Sequence, residues 1–246
     1  MPSGTAVLAM LRTDGLRVQR DRFLLGMSIY VVAISVAMRW AIPWIAGEVE
    51  RRFAFDLSPY FPLVVSHFVI QLTGLLVGIL GGVLLLEGRE DRTVKALLVS
   101  PVSLGAHLAV LGTALCVACV ILTIVESALI AITLPPWTSL LGIAMAGAPA
   151  PVLFALFIGT VAENKTEAFA YMKIVGVVPV FASAAWFVPE TWHWMAAVYP
   201  PFAASKAYWV AEAGVQTWPW WVLGALLSSA LWLAVLARSF MAAARR

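Results

Sequence analysis

Along this chain, runs of 20 or so apolar residues alternate with short polar breaks, and no polar stretch is long enough to build a core of its own. Six runs, at about 23–46, 61–86, 104–134, 138–162, 170–188 and 217–241, predict membrane-spanning helices. Pro135 and Pro136 divide the third run from the fourth. An even number of spans puts both termini on one side. The expected fold class is all-α: a polytopic membrane protein with six transmembrane helices, residues 23–246 forming a single transmembrane domain. The first run begins at Phe23 and is a full span, longer than the core of a cleavable leader. Ahead of it, Val7, Leu8, Leu11 and Leu16 alternate with Arg12, Asp14, Arg17 and Arg20. That pattern predicts an N-terminal interfacial helix over 1–22, apolar face in the lipid and arginines toward anionic headgroups.

Composition agrees with this reading. Of 246 residues, 62% are hydrophobic and mean hydropathy is +0.93, against about half apolar in soluble domains. A net charge of +3 is too small to argue for a nucleic-acid partner. Cys116 and Cys119, the two cysteines, lie inside an apolar run, where their spacing reads as small apolar packing rather than a metal or redox site.

The placement of charge says more than its sum. Arg12, Arg17, Arg20, Arg22, Arg89, Arg92, Lys95, Lys165, Lys173, Arg238, Arg245 and Arg246 fall on the side of the termini, whereas Arg51, Arg52 and Lys206 fall opposite. Cytoplasmic loops retain positive charge, so both termini are expected in the cytoplasm and the protein in the plasma membrane. Trp40, Trp44, Trp137, Trp186, Trp192, Trp194, Trp209, Trp218, Trp220 and Trp221 gather at or near the expected outer ends, as interfacial indoles do.

Between the second and third spans, "EGREDRTVKALLVSP" puts six charges, Glu87, Arg89, Glu90, Asp91, Arg92 and Lys95, into a short loop of a chain that is only 12% charged. Val94, Leu97 and Leu98 repeat at helical spacing, Asp91 or Thr93 can cap the start, and Pro101 ends the segment. Basic residues alone would fix topology, so the acidic ones are surplus to that need. A short, mixed-sign surface helix suits docking to a soluble protein, with ion pairs setting the orientation.

The series Glu87, Arg89, Glu90, Thr93, Leu97, Leu98, Ser100, Pro101, Val102, Ser103 resembles the segment that follows the second helix in type-two ABC exporter permeases. "AENKTEAFAYMK" and "VYPPFAASKAYWVAEAG" are similar to that family's second cytoplasmic loop and its outer segment before the last span. Within the class, the small permeases related to fluoroquinolone export look nearest. The resemblance implies a coupling helix in the 87–103 loop that enters a cleft of a separate ATPase. It assigns coupling to Glu87, Arg89, Glu90, Asp91, Arg92, Thr93, Leu97 and Leu98, with Glu163 and Lys165 from the second loop. It implies two ATPase copies and a second permease chain, identical or not, in a lipid membrane, with no cofactor on this chain and ATP and Mg on the partner. Arg92 stands where the family usually has glycine. The chain itself has no P-loop, since the glycine-rich "GLLVGILGG" lacks a lysine and lies within a span.

Inside the membrane, Gly74, Gly78 and Gly82 form a smooth stripe, for packing within the chain or for a subunit interface. Arg39, His67 and Glu126 lie at matching depth in the first three spans, with Gln71 one turn from His67. Ionisable groups in hydrocarbon cost about 3 kcal/mol or more unless paired or wet. An Arg39 and Glu126 ion pair is therefore expected, either locking helices or lining a path. Gly142, Gly147, Pro149, Pro151 and Pro179 predict kinks in the fourth and fifth spans.

Three functions compete: permease subunit of an ATP-driven exporter, ion-coupled secondary transporter, and intramembrane enzyme. Against the enzyme, neither G-x-S-x-G nor H-E-x-x-H occurs. Against the secondary transporter, no inverted repeat is evident and a charged surface helix has no task there. The exporter reading explains the most features.

Overall fold

The computed structural model describes residues 12–13, 15–16, 18–90 and 104–243, apart from the side chains at positions 23, 89 and 90. Among these residues no strand occurs, and six helices are long and apolar enough to cross a membrane. We term them spans 1 to 6: Leu24–Phe53, Ser58–Gly88, Leu104–Ile130, Trp137–Val161, Lys165–Phe187 and Trp218–Ala243. The interfacial helix expected over 1–22 falls largely outside the described residues, as does most of the 87–103 loop.

Spans 2 and 4 form the centre, and spans 1 and 6 are largely exposed around them. What joins the central pair is the glycine stripe. A Cβ added at Gly78 would lie 2.5 Å from Phe154 Cβ and 2.9 Å from Pro151 O; at Gly74 it would meet Ala150 Cβ at 3.1 Å and at Gly82 Ile158 Cβ at 2.9 Å. Only a residue without a side chain lets the two backbones come this close, and that approach supplies the dispersion contact that holds helices together in lipid. The stripe thus serves packing within the chain.

Span 4 breaks after Gly147 and resumes at Ala150. Pro151 has no N–H to offer the carbonyl of Gly147, four residues before it. Cys119 Sγ approaches that carbonyl at 3.9 Å, a weak substitute donor. Span 5 breaks likewise between Val175 and Val178, ahead of Pro179. Both kinks follow the sequence.

Two boundaries differ from expectation. Span 1 runs on to Phe53 because Glu48 pairs with Arg51 and Arg52 on the next turn, which keeps the helix going beyond its apolar part. Span 3 stops at Ile130, because Ala131 turns into the left-handed region at φ 48° while its N–H bonds Ser127 O at 3.0 Å.

The apolar core has two parts. One, toward the side of the termini, includes Leu24, Leu86, Leu104, Ile158 and Phe240; the other, on the opposite side, includes Ile42, Val65, Ile143, Phe202 and Tyr208. Much of the second part comes from a further helix, Pro200–Glu212, between spans 5 and 6. At 13 residues it is too short to cross, yet Pro200 to Ala211 are all buried. Tyr208 Oη donates to Thr133 O at 2.7 Å and Trp209 Nε1 to Ser66 Oγ at 2.7 Å, tying it to spans 2 and 4. Gly214, at φ 73°, ends it, with its own N–H on Ala211 O and the N–H of Val215 on Val210 O.

Candidate functional site

The expected functional residues divide between the charged end of the bundle and its interior. At the charged end, Glu87 closes span 2 and Lys165 opens span 5; Lys165 Nζ donates to Glu87 Oε1 at 2.7 Å. The start of span 5 is itself held in a reciprocal cap. Asn164 Oδ1 accepts from the N–H of Glu167 at 3.0 Å, while Glu167 Oε2 accepts from the N–H of Glu163 at 3.0 Å. This cap fixes the turn from which Lys165 projects. Arg89 and Glu90 continue the helix of span 2. Asp91, Arg92, Thr93, Leu97 and Leu98 lie outside the described residues.

In the interior, span 2 widens into a π-helical segment at His67–Leu72. Such a turn leaves backbone carbonyls without their usual partners and is frequent at functional sites. Thr73 Oγ1 donates to Phe68 O at 3.0 Å, and Thr123 Oγ1, from span 3, to Val69 O at 3.0 Å. On one side of the segment, His67 Nδ1 lies 2.8 Å from Ser183 Oγ of span 5, and Gln71 Nε2 donates to the same hydroxyl at 3.2 Å. On the other, Glu126 Oε2 meets Thr73 Oγ1 at 2.5 Å. Thr73 has one hydroxyl proton and two acceptors within reach, so the contact is complete only when the carboxyl brings a proton of its own. Gln71 Oε1 and Glu126 Oε1 are buried without a hydrogen-bond partner.

The expected Arg39 and Glu126 ion pair does not form. Arg39 is on the exposed face of span 1, and its Nη1 donates to Leu129 O at 3.1 Å. It caps the C-terminal end of span 3, where helix carbonyls are unsatisfied and a cation suits the dipole. Glu126 is 1% exposed and faces span 2. Depth alone matched the two residues; their directions around span 3 separate them.

Sequence reasoning missed Thr73, Thr123 and Ser183. Each is a single hydroxyl in an apolar run, and only the π-helical turn gives it a carbonyl or amide to serve. It also treated Lys206 as no more than an outer charge.

Two hollows accompany these groups. One, of about 470 Å³, lies between spans 4, 5 and 6 and is lined by apolar surface including Phe154, Phe157, Val175 and Trp232, with Tyr199 at its edge. The other, of about 480 Å³, lies on the side opposite the termini and includes Trp186, Glu190, His193, Lys206, Trp209 and Trp221. Among the described residues, no group of three or more His, Cys, Asp or Glu side chains is placed to hold a metal ion.

Six apolar helices, two of them broken at proline within the bundle, define a polytopic α-helical membrane protein. The chain belongs to the family described as fluoroquinolones export permease protein Rv2686c-like, whose model matches residues 14–237. It is similar to the fluoroquinolones export permease proteins MT2760 of Mycobacterium tuberculosis strain CDC 1551 / Oshkosh and Rv2686c of strain ATCC 25618 / H37Rv. Each is 29% identical over 240 residues, which cover 96% of this chain and 94% of the relative. No solved structure gives a significant match.

Proposed function

We propose that the chain is the membrane-spanning subunit of an ATP-driven exporter that moves a hydrophobic or amphipathic drug-like molecule outward, while separate ATPase subunits bind ATP and Mg and hydrolyse the nucleotide. The observation that carries this reading is the Glu87 and Lys165 pair at the charged end of the bundle. It joins the start of the proposed coupling loop to the start of span 5, so a push on that loop reaches two spans at once. Family membership and the names of the relatives support drug export. The 470 Å³ apolar hollow beside the kinked fourth and fifth spans is suited to an amphipathic cargo. The positive charge on the side of the termini supports a plasma-membrane protein with both termini cytoplasmic. On this reading two permease chains, identical or not, work with two ATPase copies.

A second reading, an ion-coupled transporter, draws on buried Glu126 with its unpartnered Oε1 and on the broken helices. One experiment decides between them. The chain is co-expressed with the ATPase encoded beside it, and the two are purified together. The exporter reading expects a stable complex whose ATPase activity falls when the charges of Glu90 and Arg92 are reversed. No association with an ATPase would leave ion coupling ahead.

A further inference from the structure

Lys206 is an unusual cation for a membrane protein's surface. It projects from the buried Pro200–Glu212 helix, its side chain is 9% exposed, and its Nζ lies 6.0 Å from the ring centres of both Trp209 and Trp221. Its counter-ion is of another kind. Glu190, whose Oε1 accepts from Lys206 Nζ at 2.5 Å, sits on a single turn at Glu190–Trp192 and is 81% exposed.

This asymmetry sets which partner is fixed and which can leave. Glu190 is already mostly hydrated, so releasing it to water costs little. Lys206 without an anion would be a charge left in an aromatic pocket, which is unfavourable. A different anion can therefore take the carboxylate's place. The space for one is present: the pair lines the cavity of about 480 Å³, within the usual range for small-molecule sites. The walls specify what else the anion carries. Trp209 and Trp221 flank the ammonium, and Trp186 meets Trp209 edge to face at 4.8 Å. Indole surfaces of this kind favour a flat aromatic body over a compact inorganic ion. His193, 3% exposed, lines the same cavity; its Nε2 is bonded to Val188 O at 2.9 Å and its buried Nδ1 has no partner.

We propose that this cavity binds a planar aromatic carboxylate, its anionic group on Lys206 in exchange for Glu190 and its ring against the tryptophans. The role of an exit-side station rests on the export reading; the binding site itself does not. Association with an ATPase and binding at this cavity are read at opposite faces, so either can fail while the other stands.

The test is calorimetric titration of the full-length chain, in nanodiscs of phosphatidylcholine, with 2-naphthoate and with the uncharged 2-naphthamide. Saturable naphthoate binding is expected, at least tenfold tighter than the amide. Lys206→Met should weaken it at least tenfold. Glu190→Gln, which removes the competing carboxylate and lies at an exposed position, should strengthen it several-fold. A purely structural ion pair would not produce that opposite sign. Should Lys206→Met fail to fold, the amide and Glu190→Gln carry the test. Absent saturation, equal affinity for acid and amide, or weaker binding by Glu190→Gln would each overturn the proposal. So would loss of naphthoate binding when phosphatidylglycerol replaces phosphatidylcholine, since the cavity would then belong to a lipid headgroup.

Discussion

The carboxylate of Glu87, at the end of span 2, accepts a 2.7 Å hydrogen bond from the ammonium of Lys165, 78 residues further along at the start of span 5. With Lys165 about half exposed, such a pair contributes under about 1 kcal/mol to stability. Its importance on the exporter reading lies in linking two helices that must move together. Lys165→Gln should leave thermal unfolding within about 1 kcal/mol of the parent, yet lower ATPase activity of the purified complex several-fold. The double reversal Glu87→Lys with Lys165→Glu should restore that activity. A loss of activity that tracks a loss of stability would count against this role.

Gly78 tests the centre of the bundle. A methyl group there would sit 2.5 Å from Phe154 Cβ and 2.9 Å from the Pro151 carbonyl, and neither neighbour is the free end of a flexible side chain. Gly78→Ala should therefore destabilise the protein by about 1–3 kcal/mol through overpacking. Gly112→Ala is the matched control, because its methyl would meet Val152 Cγ1 at an ordinary 3.5 Å. Thermal unfolding in detergent should show a clear drop for the first and little change for the second.

The sequence was most informative where a single physical quantity decides structure. Apolar runs located the spans, and prolines located the breaks in spans 4 and 5. It was less informative where direction around a helix matters. Arg39 and Glu126 share a depth and have opposite charge, but one lies on the exposed face of span 1 and the other faces span 2. The π-helical turn at His67–Leu72 has no compositional mark, so the roles of Thr73, Thr123 and Ser183 were hidden with it. The Pro200–Glu212 helix escaped for a different reason. Enclosed on every side and carrying Lys206 within it, it shows neither the one-sided stripe of a surface helix nor the length of a span.

Glu126 and Thr73 form a contact that can be separated into shape and charge. Glutamine keeps the volume of the side chain and supplies an N–H for Thr73 Oγ1, so it reproduces the carboxylic acid with its proton. Glu126→Gln should unfold within about 1 kcal/mol of the parent. Glu126→Ala leaves both a cavity and an unpartnered hydroxyl beside the π-helical turn and should cost about 2–4 kcal/mol. Equal, large losses in both variants, measured by thermal unfolding, would show that a charged carboxylate is required.

Glu190 gives a pH dependence whose sign follows from its partner. The hydrogen bond from Lys206, and then its positive charge, hold the Glu190 carboxyl below the ordinary value of 4.5. A carboxyl whose folded value is depressed contributes stability above its unfolded value and loses it as pH falls through the folded one. Melting temperature should accordingly decline as the medium is acidified below about pH 4.5, and Glu190→Gln should remove part of that decline. Asp56 contributes in the same direction, because the hydroxyl and N–H of Ser58, both at 2.8 Å, hold its carboxyl below 3.8. Asp56→Asn should therefore flatten only the more acidic part of the curve. If Glu190→Gln leaves the whole profile unchanged, the Lys206 contact is absent in solution.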